Sequence, residues 1–363
     1  MTRYLSSRDL DWPLLALTVL ICGLGILQIY SATLSTPWED AWWKQLVFVG
    51  AGFVAFYVTT RIDYHTLLER VPILYLLSLV TLVAVFLVGR QVFGSRRWIP
   101  LPGGFTLQVS EFVKLVIVLL VARYLSELKS DTLEVLDLLK LGVAVAVPML
   151  LVMKQPDLGT SLTYCAILAA GVFFGGIRWR HMLVIVLLFV LALPIGWMFL
   201  KDYQRARLTS FQDPMQDPHG SGYQVIQSKI AVGSGGIWGK GVTHGSQTQL
   251  RFLPVPHTDF IFSAFAEEHG FVGVVVVMGL YFLLLMQIVQ NAQTASDRAG
   301  MYICMSVCSL LLFHLLVNVG MVVGRMPVTG IPLPLMSYGG SSILSVFIML
   351  GLVNNVRLRR FVN

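Results

Sequence analysis

The chain has 363 residues, of which 56% are hydrophobic and only 12% charged, against roughly 25% charged in an average soluble domain, so a water-soluble globule is excluded. At about 20 apolar residues per crossing, ten crossings use about 200 residues and leave no room for a sizeable separate domain. The net charge of +7 comes from Lys and Arg set between apolar runs, with no continuous basic face; this argues against nucleic acid as a partner and favours anionic lipid.

The first apolar stretch, from Trp12 to about Leu34, is too long for the core of a cleaved signal and lacks a small-residue cleavage pattern, so it is expected to stay as a membrane anchor. Hydropathy then places spans near 12–34, 43–60, 71–89, 109–127, 138–153, 158–177, 181–200, 259–288, 300–323 and 341–356. The expected fold is an all-α integral membrane protein, one polytopic domain over residues 1–363 with an extracytoplasmic loop at 201–258. Ten spans put both termini on one side. If that side is the cytoplasm, the inner connections hold Arg61, Arg70, Arg123, Lys140, Arg178, Arg298 and Arg357 among others, while the short outer ones hold only Lys44, Lys154 and Arg325, as positive-inside orientation requires.

Two outer loops depart from that pattern. Residues 90–108 carry Arg90, Arg96 and Arg97, and residues 201–258 carry Lys201, Arg205, Arg207, Lys229, Lys240 and Arg251. Either a loop this long no longer controls orientation and tolerates them, or they handle an anionic group outside. Cys22, Cys165, Cys304 and Cys308 all fall inside apolar stretches and lack the clustered spacing of a zinc site, which points to packing.

Polar and glycine-rich residues gather at the outer connections: SRRWIPLPGG at 95–104, QVSEFVK at 108–114, KQPDLGTS at 154–161, DYQRAR at 202–207, and a long tract ending at Asp259. A last cluster, Gly324 to Ser342, contains Pro327, Pro332 and Pro334. These cannot continue a helix, and irregular backbone at membrane depth is tolerated only against protein or a wet cavity, so a re-entrant segment before span 10 is expected.

Within these clusters Glu111 and Lys114, three residues apart, share a helical face and can neutralise each other, as a functional pair or a structural one. Asp157 after Pro156 either caps the sixth span or serves a site. Asp259 also begins a helix; if Thr258 caps it, the carboxylate is left for chemistry. The run after Asp259 is longer than one span needs and contains Glu267, Glu268, His269 and Gly270, so a break is expected there, with the acidic pair meeting arginines or a site. Trp98, Trp238 and Tyr338 fit interface anchors. His244 and His257 lack the carboxylate and histidine spacing of a metal site, and GSGGIWGKG is not a phosphate loop, because Gly241 follows Lys240 where Ser or Thr is required.

Read in order, RRWI, SEFVK, QPDLGTSL, YQVIQSKIAVGSGG, LPVPHTDFIFSAFAEEHG and PLPLMSYGGSS resemble the shape, elongation, division and sporulation (SEDS) family, polytopic peptidoglycan glycosyltransferases that include RodA and FtsW. DYQRAR, HGSQTQL and MPVTGIPLP look more like the RodA branch, which builds side wall. The resemblance implies that Asp259 is the catalytic carboxylate and that Arg97, Glu111, Lys114, Asp157, Arg205 and Arg207 line or support the substrate cavity. The same motifs carry Gln224, Ser228, Gln247, His257 and Ser337, expected to bind substrate as well. It also implies lipid II on its undecaprenyl diphosphate carrier as substrate, a class B penicillin-binding protein (a transpeptidase) as partner within the elongation complex, and residence in the bacterial inner membrane. Val109 and Val255 depart from the family's usual proline and glutamate, and the second departure puts in doubt any cation site a carboxylate there would complete.

The implied reaction forms a β-1,4 glycan from an α-linked donor, so configuration inverts in one displacement. That requires a base on the attacking side, for which Asp259 at the membrane boundary is suited. The leaving diphosphate is an anion, so clustered cations replace the second carboxylic acid of a glycosidase. No cofactor is required, although a divalent cation, Mg²⁺ or Mn²⁺, bridging diphosphate and a carboxylate is compatible with this chemistry. The alternatives are a flippase for the lipid-linked precursor, since discontinuous spans and buried ionisable residues also mark transport pathways, and a scaffold that only recruits cell-wall enzymes.

Overall fold

The computed structural model describes residues 10–34, 36–92, 95–100, 106–128, 132–199 and 222–360, with 205, 209, 211, 213–216, 218 and 220 in between. Its helices are α1 (Trp12–Thr33), α2 (Ala41–Arg61), α3 (Tyr64–Glu69), α4 (Val71–Val88), α5 (Val109–Glu127), α6 (Val135–Lys154), α7 (Leu158–Phe174), α8 (Trp179–Phe199), α9 (Tyr223–Ser234), α10 (Ser246–Gln249), α11 (Ile261–Gln293), α12 (Arg298–Val322) and α13 (Gly340–Arg359). Ten of these coincide with the ten expected spans, and α3, α9 and α10 lie in connections. Seven are long and apolar enough to cross a membrane on their own. Of the other three, α5 carries four charged residues, α7 has 17 residues, and α8 qualifies only as a shorter apolar stretch, Trp179–Leu188.

The outer loop expected at 90–108 contains a three-stranded antiparallel sheet, β1 (Arg90–Val92), β2 (Ser95–Pro100) and β3 (Thr106–Gln108). Trp98 pairs with Gln108 across β2 and β3, so the strand carrying Arg97 lies against the start of α5.

The bundle is organised around α12 and α13. The apolar window of α13 is 78% buried, whereas those of α2, α4 and α6 are 22% buried and turn Val54, Ile73, Leu76, Leu136 and Val143 outward. An apolar exterior is what lipid accommodates. The start of α1 and the end of α13 meet at one end of the bundle: Asp11 caps α1 through Leu14 N at 3.2 Å, and its buried carboxylate also takes Gln287 Nε2, Asn291 Nδ2 at 2.6 Å and Arg357 Nη1 at 3.2 Å. Beside it, Asp63 binds Arg359 at 2.9 Å, and His65 bridges Asp63 and Asp297. The described segments carrying Asp157 and Asp259 gather with the 324–342 stretch at the opposite end.

At that end α11 is broken at Gly270, with φ 65° and ψ −166°. A side chain there would meet the backbone nitrogen of Gly239 at 2.2 Å. The 235–241 turn docks on the break: Phe271 N donates to Gly236 O at 2.9 Å, Val272 N to Ile237 O at 3.1 Å, and Gly241 N to Glu268 O at 2.9 Å. The amides freed by the kink therefore find partners in a second segment, as backbone polar groups at this depth must.

Candidate functional site

The irregular stretch after α12 forms the floor of the site. Val328, Ile331, Leu333, Leu335 and Met336 are buried in it, and its backbone is held by side chains from several helices. Tyr281 of α11 donates to Pro334 O, and Gln45 of α2 donates to Ser337 O at 3.0 Å. This is the re-entrant arrangement expected from the three prolines: non-helical backbone supported by protein.

Polar groups at Asp157 and Asp259 border that floor, and a buried ion pair lies on α5. Asp157 caps α7 by accepting from Thr160 N at 3.2 Å, and it also accepts from Gln108 Nε2 at 2.8 Å and pairs with Arg97 Nη1 at 3.2 Å. The cap reading thus holds, and the same carboxylate also binds an amide and a guanidinium. Arg97 keeps 29% of its side chain exposed while Asp157 keeps 4%, so the guanidinium is the outward partner. Gln108 N donates in turn to Ser341 Oγ at 2.9 Å, which ties the group to α13.

Deeper along α5, Lys114 Nζ binds Glu111 Oε2 at 2.7 Å, and Ser345 of α13 donates to the same oxygen at 3.2 Å. Both charges are buried, with the lysine 1% exposed. Lys114 therefore faces Glu111 inside the bundle, where its charge is already neutralised, and supports the wall.

Asp259 sits in the turn before α11, half-buried. The capping position belongs to Phe260, and no side chain caps this helix, so the capping alternative for Asp259 and Thr258 is not realised. The turn is clamped to the floor: Ser337 Oγ donates to Thr258 O at 2.7 Å, Tyr338 N to His257 O at 2.9 Å, and Asn318 Nδ2 to Asp259 O at 3.0 Å. Gly330 lies beside the carboxylate, where an added Cβ would be 3.5 Å from Asp259 Oδ2. Gly159 would similarly meet Thr329 O at 2.8 Å, so the start of α7, with Asp157, abuts the same strip of floor as Asp259.

The remaining expected site residues divide. His257 is buried against Trp38 and Tyr338, ring centres 5.4 and 5.8 Å away, and burial lowers its pKa from 6.5 to about 4. Tyr338 packs against this ring and Phe48, whereas Trp238 is 80% exposed. Ser337 is buried and braces the turn. Ser228 is a correction: fully buried on α9, its hydroxyl is taken up by Ser263 Oγ at 2.8 Å and Val322 O at 2.7 Å, so it joins helices instead of lining a cavity. Gln224 is half-buried on α9. Gln247 offers its backbone N to Glu267 at 2.9 Å. Arg205 donates to Met198 O at 3.1 Å, at the end of α8, and Arg207 lies outside the described residues.

Glu267 and Glu268 depart from the expectation of arginine partners. Glu267 pairs with Lys240 at 2.9 Å and accepts from Gln247 N, Thr248 N and Thr248 Oγ1, so it gathers the 240–248 loop. Glu268 accepts from neutral Ser31 at 2.5 Å and Gln28 at 3.2 Å on α1. Asn318 and Gly330 escaped the sequence reading; a buried Asn in an apolar span was the available signal for the first. Among the described residues no three His, Cys, Asp or Glu side chains converge as a metal cage. The single carboxylate of Asp259 fits only a cation that a diphosphate already holds. A cavity of about 460 Å³ lies at the opposite end, lined by His65, Arg123 and Asp297, and contains none of the expected site residues.

The model of the cell cycle protein family FtsW, RodA and SpoVE matches residues 12–360. The peptidoglycan glycosyltransferase MrdB of Escherichia coli strain K12 is 38% identical over 354 residues, covering 94% of this chain and 93% of MrdB. A chain from a structure described as structural coordination of polymerization and crosslinking by a peptidoglycan synthase complex superposes with a TM-score of 0.83 at 36% identity, covering 98% of this chain and 99% of that one. The rod shape determining protein RodA of Thermus thermophilus gives 0.72 at 30% identity, covering 97% and 98%.

Proposed function

The chain belongs to the FtsW, RodA and SpoVE family of cell cycle proteins, and from that premise we propose a mechanism in which Asp259 is the base of glycan polymerisation. The protein is a multi-pass membrane enzyme, a peptidoglycan glycosyltransferase. Its donor in this proposal is lipid II, the disaccharide-peptide on undecaprenyl diphosphate, and its acceptor is the 4-hydroxyl of another lipid-linked sugar.

Asp259 takes the hydroxyl proton as the oxygen attacks the anomeric carbon opposite the diphosphate. The new C–O bond forms while the bond to diphosphate breaks, which turns an α-linked donor into a β-1,4 product. Arg97, steered by Asp157 and partly exposed, receives the diphosphate through charge-assisted hydrogen bonds, with Arg205 and Arg207 contributed by the long loop. The Glu111–Lys114 pair keeps the wall beneath rigid. A divalent cation, Mg²⁺ or Mn²⁺, when carried in by the diphosphate, would add charge neutralisation at the leaving group. The prenyl tail stays in lipid, so no soluble donor pocket is needed.

The charge asymmetry of the connections favours both termini in the cytoplasm of an inner membrane, with the site outside. The RodA-like motifs and the likeness to a chain of a peptidoglycan synthase complex support a place in the elongation complex beside a class B penicillin-binding protein. The observation that carries the proposal is the convergence of Asp259 and the start of α7, with its Arg97–Asp157 pair, on one re-entrant floor. It is tested by reconstituting the protein with its transpeptidase in sealed vesicles containing lipid-linked precursor. Glycan strands are expected; precursor crossing the bilayer with no glycan formed would establish the flippase instead.

A further inference from the structure

Asn318 lies on α12, fully buried, and its side-chain amide is committed to two backbone carbonyls. Nδ2 donates to Asp259 O at 3.0 Å and to Ile331 O at 2.9 Å. An amide NH₂ has two hydrogens, so both are used, and one planar group joins α12, the turn before α11 and the re-entrant floor. One helical turn away on the same face, the His314 ring meets Pro332 O at 3.3 Å. Helix α12 thus grips the 331–332 backbone with residues four apart.

What is gripped borders Asp259. Gly330, immediately before Ile331, has φ 72°, and a Cβ there would stand 3.5 Å from Asp259 Oδ2. The same amide therefore fixes the main chain of Asp259 and the strip of floor against its carboxylate. Asn318 Oδ1, in contrast, is buried with no hydrogen-bond partner. Buried acceptors are rarely left unpaired, and a purely packing role would be better filled by an apolar side chain of similar shape. Retaining the unsatisfied acceptor makes sense where the two donors hold something that matters.

We infer that Asn318 is a positioning residue for glycosyl transfer, locking the Asp259 carboxylate in register with the acceptor hydroxyl. The inference rests on Asp259 being the base, as proposed above. Misplacing a reacting group by about 1 Å costs on the order of 10²-fold in rate, and a group that acts through geometry in the transition state lowers kcat while leaving KM in place.

The test uses the full chain with its transpeptidase, comparing wild type, Asn318→Ala, Asn318→Asp and Asp259→Asn. Polymerisation rate is measured against lipid-linked precursor concentration, alongside each variant's thermal midpoint. Both Asn318 variants are expected to lose kcat by about 10- to 100-fold with KM within about twofold, since aspartate places acceptors against carbonyls. A wild-type kcat in folded Asn318→Ala, or a loss that appears in KM alone, would overturn the inference. If Asn318→Ala is not recovered folded, Gly330→Ala disturbs the same strip from the floor side and is read identically: a kcat-only loss supports the inference, and an unchanged kcat removes it. A fully active Asp259→Asn brings down the proposed base itself. An inactive Asp259→Asn beside a fully active Asn318→Ala leaves the base standing and removes only the positioning role.

Discussion

Lys114 and Glu111 illustrate how a residue's type can be legible while its use is not. Their spacing foretold a mutual ion pair, and they form one at 2.7 Å, but only the fold shows both sealed inside the bundle with Ser345. Removing one partner of a buried pair costs about 3–5 kcal/mol, whereas replacing both with apolar groups of similar volume is often neutral. Lys114→Met should therefore lower the thermal midpoint strongly, and Lys114→Met with Glu111→Leu should recover most of the loss, as measured in a double-mutant cycle on the purified protein. His257 gives a second prediction at this scale. Its ring is kept neutral in the fold, with a pKa of about 4 against 6.5. Between those values the unfolded chain binds the extra proton, so stability is full above pH 6.5 and falls as pH drops toward 4. The loss amounts to about 3 kcal/mol, and His257→Gln should flatten that part of a midpoint-versus-pH curve. Sequence alone singled out His257 without this role, because the burial comes from Trp38, more than two hundred residues away in the chain.

Helices were the most legible elements, since apolar runs about 20 residues long have few other structures open to them in lipid. The break in α11 was legible too, from two acids, a histidine and a glycine inside an apolar run. The sheet over 90–108 was not, because its strands of three to six residues are punctuated by Gly and Pro and read as loop. What the break supports was equally hidden: the 235–241 turn is bonded to it by backbone groups that leave no side-chain pattern. Gly270→Ala would force the turn off α11, since the new Cβ would lie 2.2 Å from Gly239 N. A destabilisation of about 2–4 kcal/mol is expected, together with faster proteolysis within 235–250, read by limited digestion and mass spectrometry.

Across the whole molecule, α1 and α13 are joined through Asp11 and Arg357, and the re-entrant floor lies at the far end. The proposed orientation rests on the charge asymmetry of the connections and can be checked directly. With Cys22, Cys165, Cys304 and Cys308 replaced, Trp238→Cys should react with an impermeant maleimide added outside intact cells. Glu69→Cys, beside the cavity near the chain ends, should react only after permeabilisation. The composition of the candidate site was partly legible: the motifs carry Asp259, Arg97 and Asp157, while the clamp of Asn318, Ser337 and Tyr338 on the Asp259 turn depends on contacts between segments remote in sequence.

The most direct measurement is the rate of glycan formation from saturating lipid-linked precursor by reconstituted Asp259→Asn, a substitution that preserves shape and removes the basic oxygen. The account predicts a fall of about 10²–10⁴-fold at an unchanged thermal midpoint. A rate equal to that of the wild type would contradict it.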